Sequence, residues 1–146
     1  MTRIILILTT LLFFSQANAE MVNKLIIEGN KRVSSETIRV YGDIEINKEI
    51  SESKLNKIIN NLYSTNFFKD VSAKIDANTL FIKVSEYPVV NQLIILGEPR
   101  KSFVEQIEKV ISLKQKKSFI RSFLAKDIAL IKSFYSSLGY NFANVE

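Results

Sequence analysis

Part of this chain is written twice, and an internal repeat restricts the possible folds more than composition can. Asn23, Leu25, Ile26, Ile27, Gly29 and Arg32 recur as Asn91, Leu93, Ile94, Ile95, Gly97 and Arg100, an offset of 68 (23 to 91). Further on, Ile59, Leu62, Tyr63 and Ser64 recur as Ile131, Phe134, Tyr135 and Ser136, where the offset has grown to 72 (59 to 131). Two motifs in the same order imply two copies of one module, the second with extra residues between its elements.

The first copy has the order βααββ. Leu25 and Ile27 share one face of a short strand that ends at Gly29-Asn30, where glycine tolerates a positive φ. Ser34 is placed to cap a short helix ending near Tyr41-Gly42, with Val33 and Ile38 at the two positions of a hydrophobic staple. A second helix starts near Ser51 or Ser53 and stops around Ser64-Thr65-Asn66; Leu55, Ile58, Ile59, Leu62 and Tyr63 form its apolar stripe. Tyr63, Phe67 and Phe68 are therefore expected in the core. Two strands follow, with Val71, Ala73 and Ile75 alternating inward, a tight turn at Ala77-Asn78, then Leu80, Ile82 and Val84. Three strands with one apolar face each and two helices with one stripe each pack as helices on one side of a sheet.

The second copy opens at Val89, after the linker Glu86-Tyr87-Pro88. It is expected to repeat the strand at Leu93 and Ile95, to start a helix with a Ser102/Glu105 capping box, and to bury a stripe of Ile107, Val110 and Ile111. Leu124, Ile128, Ile131, Tyr135 and Leu138 form the stripe of its second helix, closed by Gly139. Asn141 to Glu146 is expected to begin a strand. Most of the two final strands is not in the sequence, so the second module is expected to be incomplete and the chain a piece of a longer protein.

The first nineteen residues have the character of an export signal. Arg3 precedes the eleven residues Ile4 to Phe14, a core too short to span a bilayer, and Ala17-x-Ala19 predicts cleavage before Glu20. The expected division is 1–19 signal peptide, 20–87 first module and 88–146 second module. The chain has no histidine and no cysteine, which excludes histidine-assisted nucleophiles and thiolate metal sites. Its fifteen acidic residues do not converge on a carboxylate pair, so no catalytic, cofactor-binding or metal-ligating residue is expected. The net charge of +5 comes from lysines scattered over helix faces, with one short cluster at Lys114, Lys116 and Lys117, and reads as solvated surface. No nucleic-acid partner is expected.

Three stretches together resemble the POTRA region of BamA-type outer-membrane protein assembly factors: Ile26 to Val33 with Thr37-Ile38, Leu62 to Val71, and Leu80 to Pro88. Gly139-Tyr140 is similar to the family's second-module GY, whereas Glu98-Pro99 departs from its usual asparagine-rich turn. The resemblance implies an α+β fold of tandem POTRA modules, each with two helices on one face of a three-stranded mixed sheet. It also implies a non-enzymatic receptor arm without a cofactor, exported to the periplasmic face of the bacterial outer membrane. Its implied partners are unfolded outer-membrane β-barrel proteins and assembly-machinery lipoproteins, with a membrane β-barrel downstream in the full-length protein. A two-partner secretion transporter or a cell-division POTRA protein are the alternatives; the cleavable signal and tandem copy weigh against the second. In such modules the second strand, here Val71, Ser72, Ala73, Lys74 and Ile75, lies at a sheet edge and could accept an extended peptide. Lys69, Lys74 and Asp76 could equally guard that edge. Proline at Ser72 or Lys74 is expected to remove an outward donor. Gly29, Asn30, Arg32 and Gly97 are read as structural turns.

Overall fold

The computed structural model describes residues 19–146; the expected export leader, Ala17 with it, lies outside the described residues. The order is β1 (Glu20–Val22), β2 (Lys24–Glu28), α1 (Ser35–Tyr41), β3 (Lys48–Ile50), α2 (Glu52–Ser64), β4 (Phe68–Asp76), β5 (Thr79–Glu86), α3 (Lys101–Val110) and α4 (Arg121–Ser137). The described residues divide into two compact units, those up to Thr65 with Val71–Val84, and Asn66–Asp70 with Ser85–Glu146.

The first unit is α+β. Ser34 and Ser51 cap α1 and α2, each side chain accepting a backbone N–H three residues on, from Thr37 and Lys54. The three-stranded sheet has the order β2-β5-β4, so β5 is central and β4 is an edge. β2 runs parallel to β5, with Leu25 opposite Leu80 and Ile27 opposite Ile82. Leu80, Ile82 and Val84 are buried on one face of β5; Ile38, Ile58 and Leu62 are buried on the helices. The alternation of period two in the strand and the steps of three and four in α2 meet in one core.

Two elements have no counterpart in the sequence-based expectation. Glu20–Val22 and Lys48–Ile50 pair antiparallel as a separate two-stranded sheet. Each has three residues and one buried side chain, Val22 or Ile50, so neither carries an alternation to detect. Glu20, expected only as a new terminus, opens β1.

The second unit keeps the two helices and lacks the sheet. Leu93 to Ile95 forms no strand, and 141–146 is a turn followed by unpaired chain, both contrary to expectation. In the first unit β2 has a single ladder partner, β5. The second unit holds no equivalent of β5 among the described residues, so Leu93 and Ile95 have nothing to pair with. The stripe of α4 is under-covered for the same reason: Leu124 and Leu138 are exposed. Val110 also points out, 54% exposed, while Ile107 and Ile111 are buried. What fixes this unit is local. Asp127, buried on α4, accepts the backbone N–H groups of Ser112 (2.7 Å) and Leu113 (2.8 Å). The segment 88–90 bonds the 116–119 loop through Val90 N–H to Lys117 O, Lys116 N–H to Val90 O and Phe119 N–H to Pro88 O. Gly139, at φ 88°, closes α4 in a Schellman turn, with Gly139 N–H to Ser136 O and Tyr140 N–H to Tyr135 O. Among the described residues no helix is long and apolar enough to cross a membrane.

Candidate functional site

The candidate site is the free edge of β4, and a two-residue turn sets its chemistry. Ala77 and Asn78 both have positive φ, 45° and 63°, the signature of a type I′ hairpin turn. Asn78 Nδ2 anchors the turn by donating to the Met21 carbonyl at 2.7 Å. In such a hairpin the flanking residues, Asp76 and Thr79, exchange both of their main-chain bonds, and the pattern then alternates along the ladder. Asp76, Lys74 and Ser72 therefore bond to β5, while Ile75, Ala73 and Val71 turn their N–H and C=O groups outward. Two contacts agree with this register. Val71 N–H is taken by the Tyr63 hydroxyl at 3.0 Å rather than by β5. Lys74 Nζ lies 5.3 Å from the centroid of Phe81, its partner across the ladder.

This corrects the expectation for proline. Ser72 and Lys74 are the wrong positions, because their N–H groups are inside the ladder; the outward donors belong to Val71, Ala73 and Ile75. The side chains divide the other way. Val71 is buried and Ala73 and Ile75 are half-buried on the helix side, while Ser72, Lys74 and Asp76 are exposed with Lys69. Tyr63, expected in the core, is 39% exposed, and its hydroxyl reaches the edge strand. The residue stripe of α2 gave its direction; where the phenol tip ends is decided by the length of the side chain.

The sheet face away from the helices carries a shallow hollow of 380 Å³ beside this edge, lined by Glu28, Ser72, Lys74, Phe81 and Lys83 among others. Its chemistry is mixed, with cations and a carboxylate around one aromatic ring. Among the described residues no three carboxylates, thiols or imidazoles gather as a metal site.

The turn residues separate by copy. Gly29 has φ 85°, and a Cβ there would stand 2.1 Å from the Val84 carbonyl oxygen of β5. Gly97 has the same φ with nothing within 4 Å of its would-be Cβ. Asn30 Nδ2 donates to the Val33 carbonyl at 2.9 Å, tying the turn to the start of α1, and Arg32 is exposed.

In the second copy a polar cluster replaces that asparagine turn. Glu98 Oε1 accepts from Arg100 N–H (2.8 Å) and Arg100 Nε (2.7 Å), and Oε2 accepts from Arg100 Nη2 (2.9 Å) and the Tyr135 hydroxyl. Arg100 Nη1 donates to the Tyr140 hydroxyl at 3.0 Å, and the guanidinium lies 3.7 Å from the Phe103 centroid. Hydrogen bonds from Arg100 and Tyr135 hold the Glu98 carboxyl down at about 2, and the Tyr135 hydroxyl is pushed up by burial and by Glu98. This cluster explains why the expected Ser102/Glu105 capping box is absent. The cap position is Arg100, which has no side-chain cap bond, and Ser102 lies inside the first turn. Below it, Leu93, Ile95, Ile107, Leu124, Ile128 and neighbouring residues line an apolar groove of 460 Å³.

Comparison with known proteins follows the repeat. The family model described as POTRA, surface antigen variable number repeat, matches residues 20–87 and again 88–146. The chain is 29% identical over 126 residues to the outer membrane protein assembly factor BamA of Neorickettsia risticii (strain Illinois). That match takes in 86% of this chain but spans only 17% of the relative's length. Among solved structures, it is similar to the N-terminal domain of Omp85 from Thermosynechococcus elongatus, with TM-score 0.57, 17% identity, and 84% and 54% of the two chains covered. It is also similar to POTRA1-2 of the periplasmic domain of Omp85 from Anabaena, with TM-score 0.53, 17% identity, and 90% and 87% covered.

Proposed function

Because this chain belongs to the POTRA family, we propose that it serves as a periplasmic receptor and scaffold region of a BamA-type outer-membrane protein assembly factor. It is exported after cleavage between Ala19 and Glu20 and lies at the periplasmic face of the outer membrane. Its modules, 20–87 and 88–146, hold segments of unfolded β-barrel proteins and dock partner lipoproteins. The barrel that inserts the clients belongs to the rest of the parent protein. It carries out no catalysis and holds no cofactor.

The observation that carries this reading is the β4 edge. Among the described residues no strand pairs with the outer side of β4, and its outward groups at Ala73 and Ile75 offer the alternating donors and acceptors that an extended chain needs. Main-chain pairing ignores side-chain identity, which suits a receptor for many clients. The half-buried apolar side chains of Ala73 and Ile75 stay with the core, so the edge offers backbone without an apolar patch that would aggregate.

The test is Ala73→Pro. It removes an outward donor and no ladder bond, so the first unit keeps its fold and loses photo-crosslinking to an unfolded outer-membrane β-barrel protein. Ser72→Pro serves as the contrast, because it breaks the β4–β5 ladder and lowers stability. Undiminished crosslinking of the Ala73→Pro chain would show that clients do not add to this edge.

A further inference from the structure

We infer that Tyr63 is a removable cap on the β4 edge, which sets where an added strand begins; this rests on the edge-pairing function proposed above. The Tyr63 hydroxyl accepts the outward N–H of Val71 at 3.0 Å and lies 3.5 Å from the Val71 carbonyl oxygen. One side chain thus covers the outward groups of Val71. Ala73 and Ile75 follow on the same edge, towards the hairpin turn.

Geometry makes this a cap rather than a core contact. Tyr63 stands in the last turn of α2 and as a residue is 39% exposed, unlike the fully buried Ile58 and Leu62, so the phenol can leave the edge without opening the core they form. The repeat supplies a contrast. Tyr135 occupies the equivalent place in the second copy, where no β4 equivalent exists among the described residues, and its hydroxyl is given to Glu98 instead. The same residue type therefore takes its partner from whatever main chain or carboxylate lies within reach, and in the first copy that partner is the edge strand.

The consequence is a register. With Tyr63 in place, an incoming extended peptide pairs with Ala73 and Ile75 and stops short of Val71. When the phenol is displaced or its hydroxyl is absent, pairing extends by one residue. An added strand competes with the hydroxyl for the same N–H, so Tyr63 weakens the grip on long segments and limits how far a client can be held.

The experiment compares the chain with its Tyr63→Phe variant, which keeps the ring and loses the oxygen. Amide hydrogen exchange is read by NMR with and without a decapeptide of alternating threonine and valine flanked by lysines. Unchanged amide shifts at Ile38, Leu80 and Ile82, core residues on other elements, serve as the control for folding. In the free variant the Val71 amide exchanges severalfold faster than in the parent. With peptide, the parent gains protection at Ala73 and Ile75 only. The variant gains it at Val71 as well and binds about 2- to 10-fold more tightly, the ratio given by one net main-chain hydrogen bond. If Ala73 and Ile75 are protected in both proteins while Val71 responds identically in both, the cap is wrong and edge pairing stands. If peptide protects neither Ala73 nor Ile75 in either protein, edge pairing fails and the cap fails with it.

Discussion

Gly29→Ala and Gly97→Ala form a matched pair in which one backbone conformation occurs with and without a neighbour. Both glycines have φ 85°. Placing an L side chain at positive φ costs about 1–2 kcal/mol, and the loss of glycine's freedom in the unfolded chain offsets about 0.4–1 kcal/mol of that. These terms are common to both sites. At Gly29 the new Cβ would stand 2.1 Å from the Val84 carbonyl oxygen, about 1 Å inside any tolerable contact, and the atom it meets is main chain of β5 rather than the end of a flexible side chain. Relief requires β2 to move away from β5 at the end of the ladder, beside the buried Ile82 and Val84. Losing a ladder bond there and loosening the apolar contact adds about 2–3 kcal/mol. Gly29→Ala should therefore cost about 3–4 kcal/mol and Gly97→Ala about 1 kcal/mol. Urea unfolding followed by NMR, with amides of Leu80 and Ile82 reporting the first unit and those of α4 the second, separates the two sites. Equal losses would refute the reasoning, since they would mean that the approach of Val84 contributes nothing.

Three further predictions concern the parts that hold each unit. Glu98 has a carboxyl held at about 2 in the folded chain against an ordinary 4.5, so its contribution to stability is complete above about pH 4.5 and fades as pH falls towards 2. Glu98→Gln should flatten that part of the acid-unfolding profile of α4, read by circular dichroism, and leave the slope of stability against pH above pH 6 unchanged. Asp127→Ala strands two backbone N–H groups and should destabilise the second unit by about 2–4 kcal/mol in urea titrations. Leu62→Ala opens the core of the first unit and should cost about 2–5 kcal/mol, whereas Val110→Ala, at a 54% exposed site, should change stability by less than about 0.5 kcal/mol.

The contrast between Leu62 and Val110 also marks what a linear pattern can convey. Where an element is long and its partners are near in sequence, its residues declare it. Ser34 caps α1, Ser51 rather than Ser53 of the two serines offered caps α2, α2 ends where its stripe ends, and Ala77-Asn78 is the hairpin turn. Where an element exists because of a distant partner, nothing local signals it. β1 and β3 are three residues each and form only against one another. Leu93-Ile94-Ile95 has the composition of β2 and no ladder, because a strand needs a partner and composition alone does not provide one. The capping box at Ser102 and Glu105 is lost to competition: Glu98 captures the Arg100 N–H, the helix starts at Lys101, and Ser102 falls inside it.

The candidate edge was legible at the level of the strand and not at the level of the atom. Alternation in Val71 to Ile75 locates β4 and its faces. Which N–H groups point outward depends on the turn being two residues long with both φ values positive, which is a property of conformation. The part played by Tyr63 is still further from the sequence. Its place on the apolar stripe of α2 is the signal for a core residue, and only the reach of the phenol to Val71 gives it a second role.

The central claim is that an extended client adds to β4 through the outward main chain of Ala73 and Ile75. Intermolecular NOEs between an isotope-labelled threonine–valine decapeptide and the unlabelled chain test it most directly. The account predicts cross-strand contacts from peptide amide and Hα protons to Ala73 and Ile75, and none to the ladder-bonded amides of Ser72 and Lys74. Contacts instead to the Phe81 and Lys83 face of the sheet, or none along β4, would contradict it.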